Sequence, residues 1–357
     1  MDSIDSENLS WPATTSGVIA MINLQSQIES DQRQSAGSVT QQIASIERLL
    51  LRGTFRGRIA DTEKAGVLAE RLVEDFRKNG HAYLSRARTR CYFHLFATAL
   101  EDLDRAQEHG MDKQVLDDER AGVFQAIGRY DEALFIRQEA ARCSSTFQTT
   151  AALAVLHAER RDLDLAERFF EHSKAQYRGV SPFPLAMLDF QRGHLWHAED
   201  QLTRARTWYL EALKRLPEFA AAQAHLAEVD AALGDVEIAI ARLRIVVNVS
   251  DDPEFTAQLA WLLKSSGRTE ESCSLLAESA ARYDELTRKH PEAFADHAAE
   301  FWITNESGTE RAVRYAKANF AIRQTPRALN LLKRAQEKAR QDRGGGTPNG
   351  KNPSRVQ

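Results

Sequence analysis

The chain is poor in several things, and each shortage removes a class of explanation. It has only three cysteines in 357 residues, Cys91, Cys143 and Cys273. They are far apart and odd in number, which argues against a disulfide framework and for a reducing compartment. Each is expected to be a small buried hydrophobe rather than a reactive thiol. No apolar run approaches the roughly 18 residues of a membrane span. The apolar piece near the start, Val18 to Leu24, is too short for a signal sequence and lacks its basic flank. A cytoplasmic chain with no membrane span is therefore expected. Charge of one sign is also missing: Lys+Arg 47 against Asp+Glu 51 gives a net charge of −4, with no basic excess to suit nucleic acid. There is no GxxxxGK[ST] loop, no HExxH, no GxSxG and no CxxC. The glycines at 344 to 346 lack the following helix that a phosphate cradle needs. The expectation is a chain without catalytic residues, without a cofactor and without a nucleic-acid partner.

What is present is a repeat. The composition, 43% hydrophobic and 27% charged, suits either two globular domains or one continuous array. In the stretch AMLDFQRGHLWHAEDQLTRARTWYLEALKRLPEF, Gly193, Trp196, Ala205, Tyr209, Ala212 and Pro217 hold fixed offsets from Ala186. The same frame fits again from Ala220, where it collects Leu226, Ala227, Gly234, Asp235, Ala239 and Leu243, and 220 − 186 gives a period of 34. Offsets 8 and 20 read Gly193 and Ala205, then Ala227 and Ala239, small residues where two antiparallel helices must cross. Trp196, Tyr209, Leu216, Leu226, Leu233 and Leu243 are expected to fill the remaining core, with Ala239 at the crossing and Arg242 in water. One helix pair cannot close such a core, so the units must stack.

Further frames agree. One from Gly80 carries Ala87, Ala99, Leu103 and Ala106. One from Gln114 contains GRYDEAL, with Gly128, Tyr130, Ala133 and Ala140. One from Phe147 carries Ala154, Ala166 and Phe170, with Arg161 where glycine is commoner. After the two central units, Asp252-Pro253 is a helix start, an aspartate cap before a first-turn proline. It leads to Leu259, Ala260, Gly267 and Leu276, with Ser272 and Ser279 where alanine is usual. A seventh frame near Ala293 holds Ala312, Ala316 and Asn319, and Thr325-Pro326 opens a last helix. Pro182 and Pro184 interrupt the period ahead of the central units.

Spacing and residue types together resemble the tetratricopeptide repeat, a helix-turn-helix unit. The resemblance implies an all-α, right-handed superhelical solenoid of antiparallel helical hairpins. The expected organisation is a disordered segment over 1–38, a degenerate capping pair over 39–79, and repeats over 80–180. Repeats resume over 186–324 after the proline break, followed by a capping helix over 325–341 and a disordered tail over 342–357.

The same resemblance implies a non-catalytic protein-interaction scaffold or adaptor holding a peptide or helix in a concave groove. In similar proteins the first helix of each repeat lines that groove, chiefly through offsets 2, 5, 9, 12 and 13. Transferring those offsets selects Arg88 and Tyr92; Phe190, His194 and His197; Trp261 and Lys264; and Phe294, His297, Phe301 and Asn305. Offset 5 reads Leu84, Asp118, Ala151, Phe190, Ala224, Ala257 and His297, without the Lys and Asn of a two-carboxylate clamp. A partner with apolar anchors fits better. Two alternatives stand beside this: a subunit of an enzyme complex, and a metal-binding protein. For the latter, His194 and His197 lie one turn apart with Asp200 beyond them, and could hold zinc or copper given a third ligand. Isolated pairs of this kind are commonly only exposed polar side chains, so no metal ligand is assigned.

Overall fold

A computed structural model describes residues 13–33, 37–305 and 308–344, and among them every regular element is an α-helix. The described residues form two compact units, one within 1–125 and 129–280 and the other within 126–128 and 281–357.

The first unit begins with α1 (Gly17–Arg33), α2 (Val39–Arg56) and α3 (Ile59–Asp75). Five hairpins follow: α4 (Gly80–Tyr92) with α5 (Phe96–Glu108), α6 (Lys113–Ala126) with α7 (Tyr130–Cys143), α8 (Phe147–Glu159) with α9 (Leu163–Gln176), α10 (Phe183–Ala198) with α11 (Leu202–Arg215), and α12 (Ala220–Ala232) with α13 (Val236–Val247). The unit closes with α14 (Pro253–Ser265) and the first part of α15 (Thr269–Lys289). These helices fall on the sequence frames for a physical reason. The crossing residues Ala99, Ala133, Ala166, Ala205 and Ala239 are fully buried, and bulk there would force the two helices of a hairpin apart. At Gly193 even one added carbon would lie 2.7 Å from the Tyr209 ring.

The turn inside each hairpin needs one residue in the left-handed region. Gly128, Gly234 and Gly267 supply it with φ of 91°, 99° and 80°, and at the same frame position His94, Arg161 and Asp200 adopt 55°, 63° and 57°. Only glycine takes that conformation without steric cost. Helix starts follow their caps: Asp252 Oδ1 accepts from the Glu254 N–H at 2.9 Å, with Pro253 in the first turn. At the proline break, α9 ends at Gln176 and Pro182 stands as the cap of α10.

Several expectations are corrected. Residues 17–33, expected to be disordered, form α1, because Met21, Leu24 and Ile28 recur at helical spacing and bury one face. The rest of that expectation, at 1–12 and 34–36, lies outside the described residues, as does 345–357 of the expected tail. Cys143 and Cys273 are exposed rather than buried, and Cys91 is half-buried. Leu233 is exposed because it caps the end of α12 instead of packing within it. Arg242 does not face water: it donates to Gln223 Oε1 at 2.6 Å and to the fully buried Asp230 at 3.3 Å.

The pair α2–α3 packs on α4, and its turn also reaches the starts of later helices. Phe55 meets Phe219 and Phe183 with ring centroids 4.7 and 5.0 Å away. Ser250 Oγ donates to the Gly57 carbonyl at 2.6 Å.

The second unit holds the remainder of α15 with α16 (Pro291–Thr304), α17 (Thr309–Ile322) and α18 (Pro326–Gly344). Ala312 and Ala316 are fully buried at its crossing. Thr325 Oγ1 accepts from the Ala328 N–H at 3.1 Å and starts the closing helix, which runs through residues 342–344 that were expected in the tail.

Candidate functional site

Two groups of side chains in the first unit gather the residues that spacing singled out. The first is built on α10, where Phe190, His194 and His197 stand three and four residues apart and so share one helix face. His225 and Glu228 of α12 lie opposite. Ring centroids put Phe190 4.9 Å from Phe219 and 5.6 Å from His225, and His194 5.5 Å from His225. Tyr209 of α11 lies beneath, stacked on His225 at 5.8 Å, with its hydroxyl 3.3 Å from His197 Nδ1. Burial raises the pKa of this phenol far above its ordinary value.

His225 Nδ1 lies 2.9 Å from Glu228 Oε2. The other carboxylate oxygen accepts from Gln258 Nε2 of α14 at 3.0 Å. Burial pushes the His197 imidazole below its ordinary pKa, with His225 adding to the effect and Glu228 and Asp200 opposing it. One donor atom each from His197, His225 and Glu228 come within 4.8 Å of one another. Asp200, the third group suggested by sequence, instead occupies the hairpin turn with φ 57°.

The second group lies where α2 meets α4 and α6. Glu47, Leu50, Leu51, Arg88, Cys91, Tyr92 and Glu119 line an open pocket there. Arg88 donates to Glu119 at 2.7 Å and to Glu47 at 2.9 Å. Tyr92 is 45% exposed, and its hydroxyl lies 2.8 Å from Thr54 Oγ1. The Cys91 thiol is pushed up to about 12 by burial and by Glu119, so it stays protonated and is no nucleophile at neutral pH.

The other selected residues fare differently. Trp261 is half-buried and Lys264 exposed on α14. In the second unit Phe294, His297 and Asn305 are half-buried, and His297 Nε2 lies 3.8 Å from Asp296 Oδ1. Phe301 is not a groove residue. It is only 1% exposed, with its ring 5.0 Å from Tyr283 and 4.9 Å from Trp302, because these two aromatics close over it. Sequence reasoning passed over His225, Glu228, Gln258 and every pocket residue of α2. Glu228 had a signal, since it stands at offset 9 of the frame from Ala220, the offset that selected Arg88, His194 and Trp261.

No family model and no curated protein matches this sequence. Solved structures do match in fold. Human IFIT1 with m7Gppp-AAAA has a TM-score of 0.55 at 14% identity, covering 89% of this chain and 77% of that one. A tetratricopeptide repeat protein from Parabacteroides merdae has a TM-score of 0.48 at 14% identity, covering 68% and 92%. The APC/C hetero-tetramer Cut9-Hcn1 has 0.47 at 15% identity; the match covers 89% of this chain but only 52% of that one. The fold is that of a tetratricopeptide-like α-solenoid.

Proposed function

We propose that this tetratricopeptide-like array is a non-catalytic scaffold that holds a short segment of another protein in the pocket between α2 and α4. The observation that carries the reading is Tyr92, a large aromatic left 45% exposed on a wall it shares with Leu50 and Leu51. Exposed aromatics in such settings act as binding anchors. Two carboxylates, Glu47 and Glu119, face a single Arg88 there, so the pocket favours an apolar anchor with a lysine or arginine beside it. The IFIT1 structure holds m7Gppp-AAAA, but a net charge of −4 and this acidic lining oppose such a ligand here.

Selection of displayed peptides on the immobilised protein tests the proposal. Enriched peptides are expected to share an aromatic or aliphatic residue next to a basic one. Tyr92→Ala and Glu47→Lys are expected to weaken them more than about tenfold, roughly 1.4 kcal/mol. Peptides without that pattern, affinities indifferent to both variants, or preferential binding of m7Gppp-AAAA would each count against it.

A further inference from the structure

The first group of side chains does something the scaffold reading does not use. We propose that His197, His225 and Glu228 form a binding site for a zinc ion, with the fourth coordination position open to water or to a ligand from outside the chain.

Ligand type comes first. Two imidazoles and one carboxylate are a donor set that zinc accepts in sites with three protein ligands and an open position. With bonds of about 2.0–2.2 Å, tetrahedral coordination separates neighbouring donors by roughly 3.4 Å. The three donor atoms already lie within 4.8 Å of one another. Around an ion the His225 Nδ1–Glu228 Oε2 contact, now 2.9 Å, would widen slightly, and no donor of the triad starts more than 4.8 Å from another. All three are half-buried rather than enclosed in the core.

The surroundings are those of a supported site. Ligands of a bound metal are normally oriented by a second layer of hydrogen bonds. Here the Tyr209 hydroxyl lies 3.3 Å from His197 Nδ1, and Gln258 Nε2 holds the outer oxygen of Glu228 at 3.0 Å. Tyr209 is fully buried and Gln258 nearly so, which fixes both orienting groups. The donors also come from two rigid helices, His197 from the last turn of α10 and the other two from one face of α12. His194 flanks the site, with its ring 5.5 Å from that of His225. It is not one of the three grouped donors.

The plain alternative is a contact of His225 with Glu228 beside one of His197 with Tyr209, with no metal bound. Titration of the tag-free, chelator-treated full chain with zinc chloride separates the two. We expect one zinc per chain with micromolar or tighter affinity. His225→Ala and Glu228→Gln should each lower it by more than about tenfold, whereas His194→Ala and the remote His172→Ala should leave it unchanged. Cobalt(II) gives a readout independent of stability, since a four-coordinate site produces an intense visible absorption band. That band should appear with the wild type and vanish with Glu228→Gln, which keeps the size of the side chain. Absence of stoichiometric zinc binding, or binding that both triad variants retain, overturns the proposal. A loss equal to theirs in His194→Ala overturns the assignment of the ligands.

Discussion

Asp251, in the turn after α13, places its carboxylate oxygens 2.6 and 3.0 Å from the backbone N–H groups of Ile59 and Ala60, 192 and 191 residues earlier in the chain. Those are the first amides of α3, whose own cap residue, Arg58, provides no side-chain acceptor. A distant aspartate therefore does the work of an N-cap and ties α2–α3 to the start of α14. Asp251→Ala should cost about 0.5–2 kcal/mol in urea unfolding, and amide exchange should speed up at the first turn of α3. Unchanged exchange there would show that water replaces the carboxylate without loss.

Gly193→Ala sets two effects against each other. Alanine is the better helix former by about 1 kcal/mol, but its Cβ would lie 2.7 Å from the Tyr209 ring, which is fully buried and cannot swing away. Overpacking of this kind costs about 1–3 kcal/mol. The expected net result is a lower denaturation midpoint. A more stable variant would mean that the α10–α11 crossing is looser than its geometry implies.

Arg161→Gly should go the other way. Arg161 holds φ 63° at a turn where three other hairpins use glycine, and that conformation costs a side-chain-bearing residue about 1–2 kcal/mol. The ion pair lost with it, to Glu199, involves an arginine side chain 71% exposed and contributes little. A rise in thermal midpoint of a few degrees is expected; a fall would assign Arg161 a contact that outweighs its backbone strain.

A pH test follows from Lys174. Its ammonium lies 2.8 Å from Asp189 Oδ1, while Arg215 donates to the other oxygen at 2.8 Å. Burial lowers its pKa below 10.5, and Asp189 only partly offsets this. Between the lowered value and 10.5 the unfolded chain binds more protons than the folded one, so this group makes stability rise with pH. The penalty of burying the charge is complete below that window and is relieved as pH approaches 10.5. The stability of the wild type relative to Lys174→Met should therefore grow with alkaline pH. A flat or falling difference would contradict the burial assigned to this lysine.

The hairpins were legible in the sequence because a helix crossing admits few residue types. Ala99, Ala133, Ala166, Ala205, Ala239 and Ala312 mark six crossings, and all are fully buried. Helix α1 was missed although Met21, Leu24 and Ile28 carry a helical period, because the residues around them are polar and Ser/Gln-rich. Site residues were harder, since spacing selects a helix face but not what covers it. Offset 9 gives half-buried Arg88 and His194 but fully buried Phe301, which Tyr283 and Trp302 enclose. The approach of His197 to His225 and Glu228 depends on how α10 and α12 are rotated toward each other, and no local pattern encodes that rotation. The partnership of Arg88 with Glu47 is hidden for the same reason, the two lying 41 residues apart.

The central claim is that a partner segment seats on Tyr92, and hydrogen exchange with a selected peptide bound measures it most directly. Protection is expected to concentrate in α2 and α4, around Glu47 to Leu51 and Arg88 to Tyr92, and to disappear in Tyr92→Ala at the same peptide concentration. Protection that instead falls on α14 around Trp261 and Lys264, and survives Tyr92→Ala, would contradict the claim.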